Sequence, residues 1–359
     1  KKLNILVVYA AKFGFHVVSY YLSKYASEKH NVTYLGLTLD KTGESLALPN
    51  VKVKEHLCKP GLKGRKQMLS LLSDEVQSGE YDVIFTQYFA GISMLKKTFC
   101  NENLIVDIRS GYLLKNPFKR YLLNGLLCKE SKYLTENISI NSKLLGHYLG
   151  FKSSEISELP LGADPVSINK RDFRTLRLIY IGTLSKRNID ITIIGLRHYI
   201  NENPNHNIER YDIIGSGDIE QKLILELIHE YNLSSIVRVH GYINRDRTGE
   251  FLQNANVGVS FVPITPYYDL QPVTKTFEFL LAGLPVLATA TSQNKRFIDK
   301  SNGVLIEDDA ENFSDGIKKI ISAMKHYSSE GIQASSARYS WENIILDKYL
   351  PYIEKVAKN

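Results

Sequence analysis

Residues 274–289 read Thr-Lys-Thr-Phe-Glu-Phe-Leu-Leu-Ala-Gly-Leu-Pro-Val-Leu-Ala-Thr. Phe277, Leu280 and Leu281 recur at helical spacing, which predicts a helix that packs one face inward. Gly283 ends that helix, because glycine adopts the left-handed backbone of a helix C-terminus without steric cost. The apolar residues that close the stretch are typical of a buried parallel strand. The stretch therefore predicts a helix–turn–strand unit of a layered α/β domain.

The same unit carries polar groups suited to a ligand. Glu278 lies among apolar residues, and burial of an unpaired carboxylate is costly, so the sequence predicts a partner for it. Thr274, Lys275 and Thr276 lie at the predicted helix N-terminus, where free backbone N–H groups favour an anion. A phosphate cradle one turn before a hydroxyl-binding carboxylate suits a nucleotide sugar. A core helix with a capped start is the alternative interpretation.

Strand-like runs alternate with helical stretches along the whole chain. Strands are predicted at 3–9, 32–37, 82–86, 104–108, 138–140, 177–182, 211–214, 237–240, 257–262, 285–288 and 303–306. Helices are predicted at 16–28, 189–202, 218–230, 246–254, 274–282, 310–327 and 341–357. This alternation indicates parallel sheets with helices on both faces. The predicted fold class is α/β, with two doubly wound Rossmann-like domains that face each other across a cleft.

The length of 359 residues exceeds one ordinary core, so two domains are expected. The turn-rich stretch Leu159-Pro160-Leu161-Gly162-Ala163-Asp164-Pro165 places the boundary, because the alternation restarts after it. The predicted domains are 1–165 and 166–338, followed by a C-terminal helix in 339–359. Ligands of doubly wound domains bind at the carboxyl ends of the strands, which locates the expected sites.

The net charge of +7 is unevenly distributed. Residues 1–150 hold 21 Lys and Arg against 12 Asp and Glu, a net charge of +9, whereas the remainder holds 24 against 26, a net charge of −2. A basic first half suggests a polyanion or an anionic membrane surface as a partner. A solvated basic face without a dedicated partner is the alternative.

Several classes of protein are disfavoured by what the sequence lacks. Cys58, Cys100 and Cys128 do not have the spacing of a metal or redox site, which favours a reduced, cytoplasmic setting. No apolar run approaches the roughly 18 residues that span a bilayer, and the first strand is too short for a secretory signal. There is no P-loop or Gly-x-Ser-x-Gly elbow, and Gly14 stands alone in its loop, which argues against a dinucleotide oxidoreductase. No nucleic acid partner is expected.

Glycine and two cations follow the first strand of the second half. Gly182 permits close backbone approach, and Lys186 and Arg187 come just before a predicted helix. Cations are unfavourable at a helix N-terminus, so the pair calls for an anion, and the planar arginine fork suits diphosphate oxygens. A basic helix edge is the alternative. Gly241 ends another strand and would expose bare backbone to a nucleobase, while His240 beside it is either structural or a ligand contact.

Two features of the first half are candidates for contact with a ligand or a membrane. Asp107 and Arg109 end a buried strand two residues apart, so both side chains point the same way if the strand continues. A structural salt bridge is the alternative. Residues 115–134, from Lys115 onward, would present apolar and basic faces side by side if they are helical from Pro117. That pattern suits an anionic membrane surface, and a core-packing helix with a solvated outer face is the alternative.

Together these residues resemble the retaining glycosyltransferases of family 4, which have the GT-B fold. Tyr180-Ile181-Gly182-Thr183-Leu184 with Arg187-Asn188-Ile189-Asp190 is similar to the family's Gly-Arg-Leu…Lys-Gly-x-Asp stretch. Phe277-Glu278-Phe279…Ala282-Gly283-Leu284-Pro285-Val286 is similar to its Glu-(Tyr/Ala)-x-x-x-Gly-x-Pro-Val element. Weaker matches are Gly215-Ser216-Gly217, the interdomain turn Leu159-Pro160-Leu161-Gly162-Ala163-Asp164, and Ser340-Trp341-Glu342, the start of a final helix that commonly crosses back onto the first domain.

The resemblance implies an enzyme that moves a hexose from a nucleoside-diphosphate sugar to a glycan or lipid-linked acceptor with retention, in surface polysaccharide or glycoconjugate synthesis. Glu278 would bind the donor ribose, while Arg187 and Lys186 would hold the departing diphosphate, so that no metal or other cofactor is needed. Gly241 would lie near the base. The donor-binding residues expected are Gly14, Gly182, Gly241, Thr274, Lys275, Thr276 and Glu278. A cytoplasmic enzyme, peripheral at the inner face of the membrane, is expected.

Three departures from the family pattern stand out. A glutamate that commonly precedes Glu278 falls at Leu270, with Asp269 adjacent. Thr183 occupies a position where a basic residue is expected. The first domain has no obvious acceptor-side histidine, so Asp107 and Arg109 are expected at the acceptor site. Two rival functions stay open: a catalytically inactive GT-B subunit that binds glycan or scaffolds a complex, and a nucleotide-sugar epimerase.

Overall fold

The computed structural model describes residues 2–39, 44–100, 102–112, 114, 116–168, 171–244 and 247–358. The chain forms two compact units. Unit 1 comprises Lys1–Leu161 and Trp341–Asn359, and unit 2 comprises Gly162–Ser340. The divisions lie at 161/162 and 340/341, compared with predicted boundaries at 165/166 and 338/339.

Each unit contains one wholly parallel sheet. The strands of unit 1 are β1 (Asn4–Tyr9), β2 (Asn31–Thr38), β3 (Val51–Leu57), β4 (Val83–Gln87), β5 (Leu104–Ile108), β6 (Ile138–Ile140) and β7 (Ser157–Glu158), in the spatial order β3-β2-β1-β4-β5-β6-β7. The strands of unit 2 are β8 (Leu176–Ile181), β9 (Ile208–Ile214), β10 (Val237–Gly241), β11 (Val257–Ser260), β12 (Val286–Thr289) and β13 (Gly303–Ile306), in the order β10-β9-β8-β11-β12-β13. Both orders are those of a doubly wound Rossmann-like sheet, whose strand order reverses beside the first strand.

The helices alternate with these strands. They are α1 (Val17–Ala26), α2 (Gly61–Ser78), α3 (Pro117–Leu134), α4 (Lys143–Leu149), α5 (Ile189–Glu202), α6 (Asp218–Glu230), α7 (Thr248–Asn254), α8 (Pro266–Asp269), α9 (Thr274–Leu281), α10 (Ala310–Ala323), α11 (Ser329–Ser336), α12 (Trp341–Ile344) and α13 (Leu350–Val356). A π-helical turn, Ile345–Tyr349, joins α12 to α13. None of the helices in the described ranges is long and apolar enough to cross a membrane.

Residues 274–289 fold into a helix, a turn and a strand, as the sequence predicts. α9 ends at Leu281, and Gly283 has a φ of +68°. A Cβ atom at Gly283 would lie 2.6 Å from the backbone oxygen of Ser329, so the position requires glycine on steric grounds as well. β12 follows with all four residues buried between its neighbours β11 and β13.

The C-terminal segment completes the core of unit 1. Trp341 is buried, and its ring stacks on Tyr21 of α1 with centroids 5.2 Å apart and planes 9° apart. Tyr349 and Ile353 belong to the same apolar cluster as the β1 residues. Unit 1 is therefore assembled from the first 161 residues and the last helices of the chain.

The sequence does not predict β3 and α2. Val51–Leu57 carries Lys52, Lys54 and Glu55, and only its first residue is buried, because β3 is the edge strand of its sheet. An edge strand lacks the continuous apolar run that marks the central strands. α2 is mostly polar and buries only part of its surface, so its helical signal is weak.

Candidate functional site

The predicted partner of Glu278 comes from its own helix. Lys275 Nζ donates to Glu278 Oε2 at 2.7 Å, three residues apart on α9. The two side chains are 28% and 20% exposed, whereas Phe277 and Phe279 are buried. Both charges thus lie at the accessible side of a helix whose other face is in the core.

The N-terminus of α9 has no side-chain cap, and Val273 precedes the helix. The side chain of Thr276 is not open to a ligand, because its hydroxyl is buried between Ser260 Oγ at 2.8 Å and Asn294 Oδ1 at 2.9 Å. Thr276 therefore fixes the start of α9 to the core. Thr274 and Lys275 are partly exposed at the uncapped helix end.

Lys275 reaches the carboxyl end of β8. A Cβ atom at Gly182, the residue after β8, would lie 3.7 Å from Lys275 Cε and 3.0 Å from Tyr180 Oη. β8 lies beside β11 at the reversal of the strand order, where doubly wound sheets bind their ligands. The structure thus brings Gly182 close to Lys275 and Glu278, which come more than ninety residues later in the chain.

The turns after neighbouring strands are packed against one another. Gly182 N donates to Ile214 O at 2.9 Å, and Gly215 N donates to Gly241 O at 2.8 Å. A Cβ atom at Gly215 would lie only 1.8 Å from Gly182 O. Gly215 is therefore required by the close approach of the β8 and β9 turns, a reason that its sequence context does not reveal.

Arg187 is held by an aromatic ring. Its guanidinium lies over Tyr268 with Cζ 4.5 Å from the ring centroid. Burial raises the pKa of the Tyr180 hydroxyl and the nearby Arg187 charge lowers it, which places Arg187 beside Tyr180 as well. Lys186 and Asn188 on either side have left-handed backbone, with φ of 59° and 53°. Such strain in non-glycine residues is common at functional turns, and here it flanks the cation that was predicted to bind diphosphate.

Glu220 supports this turn and was not predicted. Hydrogen bonds from its own backbone N–H, from the Ser185 side chain and from the Lys186 backbone lower the pKa of the Glu220 carboxyl. Glu220 lies in the first turn of α6. It therefore ties the strained 185–188 turn, through Ser185 and the Lys186 backbone, to the neighbouring helix.

Asp269 is not a free carboxylate that could replace the glutamate expected at position 270. Its Oδ1 accepts from Ser292 N at 2.6 Å and its Oδ2 accepts from Ser292 Oγ at 2.8 Å. Both oxygens are thus engaged with the loop that follows β12. Asp269 acts as a tie between α8 and that loop.

The end of β10 is open at Gly241. Its φ is +66°, and apart from its two chain neighbours no described residue has an atom within 4 Å of the position that a Cβ would take. His240 instead bonds Asp212 Oδ1 through Nε2 at 2.7 Å and meets the Phe251 ring edge-on at 4.8 Å. His240 is therefore the structural residue of the two, and Gly241 keeps its bare surface.

Asp107 and Arg109 form a buried ion pair in unit 1. Asp107 is fully buried and Arg109 is 9% exposed, with Arg109 Nε donating to Asp107 Oδ2 at 2.5 Å. Tyr9 Oη and Ser139 Oγ also donate to Asp107, each at 2.6 Å. Burial alone would lower the pKa of Arg109, but the neighbouring Asp107 carboxylate raises it above its ordinary value. This geometry is that of the salt-bridge alternative: the pair joins β5, β6 and β1 and has little surface for a substrate.

His16 lies beside this pair and was not predicted. Its ring packs on Tyr9 with centroids 4.4 Å apart, and its Nδ1 is buried without a hydrogen-bond partner in the described part of the chain. Burial, with a smaller contribution from the Arg109 charge, lowers the pKa of His16 to about 4. The signal in the sequence was its position at the start of α1, immediately after the β1 loop.

Gly14 in that loop does not offer open backbone. Its φ is +92°, and a Cβ atom there would lie 2.5 Å from Leu46 Cγ. The residues around Leu46 therefore cover the position where a donor contact was expected. Glu55 helps to hold this cover, since it accepts from Phe13 N and from Ser45 Oγ, both at 2.6 Å.

The basic segment is helical from Pro117, as expected, and forms α3, with Asn116 accepting from Lys119 N at the helix start. Lys115, also named in that prediction, lies outside the described residues. In the described ranges, no group of three or more His, Cys, Asp or Glu side chains could hold a metal ion.

Comparison with known families bears on unit 2. Residues 175–323 match the family model of glycosyl transferases group 1. The matched range contains Gly182, Arg187, Lys275 and Glu278, and the match supports glycosyltransferase activity. No curated protein matches the chain significantly.

Solved structures resemble the whole chain. A glycosyltransferase from Rickettsia africae has a TM-score of 0.75 at 14% identity and covers 100% of both chains. The Anabaena protein Alr3699/HepE, in complex with UDP and glucose, has a TM-score of 0.72 at 13% identity, over 98% of this chain and 100% of that one. The lipopolysaccharide outer core galactosyltransferase WaaB, in its apo form, has a TM-score of 0.75 at 13% identity, over 98% and 99%. The fold is GT-B. At these identities the likeness establishes the architecture of two Rossmann-like domains and confirms the predicted fold class.

Proposed function

We propose that the protein is a glycosyltransferase that uses a nucleoside-diphosphate sugar as donor, and that unit 2 binds this donor. The observation that carries the proposal is the meeting of Lys275 and Glu278 with Gly182 at the end of β8. This is the point of a doubly wound sheet where nucleotides bind. The residues also fall inside the range that matches the group 1 glycosyl transferases.

The charges there suit a departing diphosphate. The uncapped start of α9 offers backbone N–H groups, and Lys275 adds an ammonium at the same helix end. Because Lys275 lies next to Gly182, it supplies a cation where the neighbouring Thr183 has none. Arg187 provides a planar fork that is already held over Tyr268, so it loses little freedom on binding. These cations would stabilise the leaving anion without a metal.

Glu278 would accept hydrogen bonds from the ribose hydroxyls. Its Oε2 already accepts from Lys275 Nζ at 2.7 Å, so the carboxylate is held in place at the accessible side of α9. In this arrangement Lys275 has two roles, since it orients the carboxylate and faces the phosphate. Gly241 would leave room for the base at the end of β10.

The finer features of the function are also proposals. Transfer would proceed with retention, on the face from which the diphosphate leaves, with a phosphate oxygen taking the acceptor proton. The donor would carry a hexose, and a uridine nucleotide is supported by the UDP and glucose in the Anabaena structure. The acceptor would be a glycan or a lipid-linked sugar in surface polysaccharide or glycoconjugate synthesis, as the WaaB likeness suggests. The enzyme would be cytoplasmic and peripheral to the membrane.

Titration calorimetry with UDP tests the donor site. We expect wild type to bind and Glu278→Ala to lose most of the heat, while Glu311→Ala, a change of the same type on the exposed surface of α10, binds like wild type. Wild type and Glu311→Ala should hydrolyse the sugar nucleotide equally well, and Glu278→Ala should lose most of this activity. Equal binding by wild type and Glu278→Ala would show that the donor assignment is wrong.

One observation favours a second candidate, a catalytically inactive GT-B subunit that binds glycan. Leu270 replaces the common glutamate, and both oxygens of the adjacent Asp269 are engaged with Ser292. Such a subunit that has lost its donor site would give no heat with any nucleoside diphosphate. Binding without turnover would instead indicate a donor site whose acceptor has not been supplied.

A further inference from the structure

Unit 1 exposes several large apolar side chains on three neighbouring segments. On α3, Phe118 is 68% exposed and Tyr121 is 77% exposed. Leu62 at the start of α2 is 75% exposed, and Met94 in the 3-10 turn Ile92–Leu95 is 73% exposed. Two further leucines of α3, Leu122 and Leu126, are also exposed. We call these residues, together with the exposed lysines and arginine of the same segments, the basic–apolar surface.

The three segments are held together by buried polar contacts. Glu130 of α3 accepts from Ser93 Oγ at 2.6 Å and from Gly91 N at 3.2 Å, which ties the 3-10 turn to α3. A Cβ atom at Gly91 would lie 3.4 Å from Arg65 Cδ, so the start of α2 lies against the same turn. The 3-10 turn packs on both helices. The exposed apolar groups therefore belong to one part of the unit 1 surface.

The same three segments carry a strong positive charge. Residues 61–73, 88–100 and 116–129 contain eight Lys and Arg and no Asp or Glu. The one carboxylate within α3, Glu130, is buried and hydrogen-bonded. Lys63, Arg65, Lys66, Lys97, Lys119 and Lys129 are exposed.

We infer that the basic–apolar surface docks on an anionic lipid bilayer. Apolar and aromatic side chains bordered by lysines match the interface of such a bilayer, where rings and leucines enter the headgroup region and cations meet phosphates. A second copy of the chain is a poorer occupant, because it would bring eight further cations against these eight. The inference deepens the proposed function, since it names the surface that would bring the enzyme to a lipid-linked acceptor.

Vesicle flotation with the full chain tests this assignment. We expect binding to vesicles of phosphatidylcholine mixed with phosphatidylglycerol, weak binding to phosphatidylcholine alone, and release as salt rises. The variant Phe118→Ser/Tyr121→Ser/Leu122→Ser should bind the anionic vesicles at least tenfold more weakly, and Lys119→Glu/Lys129→Glu should lose binding as well. The matched control is Ile219→Ser in unit 2, a residue that is 83% exposed on α6 and should bind like wild type.

Three results would overturn the inference: no binding to anionic vesicles at low salt, equal binding to neutral vesicles, or a wild-type dimer that dissociates in the Phe118→Ser/Tyr121→Ser/Leu122→Ser variant. The altered residues are exposed, so thermal denaturation should show unchanged folding for every variant. The vesicles contain no sugar nucleotide. A failure here therefore leaves UDP binding by unit 2 unaffected, and a failure of UDP binding leaves the flotation result unaffected.

Discussion

Lys275 Nζ and Glu278 Oε2 lie 2.7 Å apart, one helical turn from each other on α9. The pair is partly exposed, so its direct contribution to stability is small, about 0–1 kcal/mol. Its value lies in its position, since the Lys275 side chain also reaches Gly182 at the end of β8. The ion pair is therefore a poor stabiliser, and its place beside Gly182 is what supports the proposed donor site.

Lys275→Met should weaken UDP binding about ten- to a hundredfold, because a hydrogen bond to a charged group contributes about 1.5–3 kcal/mol. Thermal stability should change little. Titration calorimetry measures the affinity for UDP, and thermal denaturation measures the stability. Lys318→Met is the matched control, since Lys318 also pairs with carboxylates on the surface of unit 2. An unchanged UDP affinity in Lys275→Met would remove Lys275 from the donor site.

Gly215→Ala should destabilise unit 2 by about 2–4 kcal/mol, because the new methyl group would collide with the backbone oxygen of Gly182. UDP binding should fall with it, since the clash displaces the β8 turn. Gly249→Ala is the control, because no described residue beyond its chain neighbours and its own helix backbone has an atom within 4 Å of its Cβ position. In chemical denaturation, Gly249→Ala should be as stable as wild type or slightly more stable.

Asp107→Asn should cost unit 1 about 3–5 kcal/mol, because it leaves the Arg109 charge buried without a counter-ion. Asp107→Asn/Arg109→Met should recover part of this loss by removing the orphaned charge. Denaturation curves measure the stability of both variants. Titration calorimetry with UDP shows whether donor binding by unit 2 is unchanged. If the single variant is stable but inactive in transfer, the acceptor role expected from the sequence regains its support.

Stability should fall as the pH drops from about 6.5 towards 4 through the titration of His16. Burial and the Arg109 charge hold its folded pKa at about 4, below the unfolded value near 6.5. The unfolded state thus binds the extra proton, and the contribution, about 2–3 kcal/mol at neutral pH, is lost on acidification. His16→Asn should show a flatter profile over that range. An NMR titration that places the His16 pKa near 6.5 would contradict this account.

The sequence predicted the architecture because the signals that define it are local. Buried parallel strands appear as apolar runs, and Gly283 ends α9 by its own backbone preference. β3 escaped prediction since an edge strand with Lys52 and Lys54 has no such run. Glu278 was predicted as a candidate because a lone carboxylate in an apolar helix is conspicuous in any sequence.

The remainder of the site depends on contacts between distant residues. The reach of Lys275 to Gly182, the hold of Tyr268 on Arg187 and the cover of Leu46 over Gly14 each join segments that no spacing rule connects. His16 was missed for the same reason. It packs on Tyr9, and its pKa is lowered by burial and by the Arg109 charge, none of which its neighbours in the chain reveal.

The stacking of Trp341 on Tyr21 has a consequence for synthesis on the ribosome. Unit 2 is continuous in the chain, so it can fold as soon as its last strand and helices emerge. Unit 1 begins first but cannot close its core until the residues after 340 arrive. The Tyr21 side of α1 therefore stays uncovered while residues 162–340 are still being made.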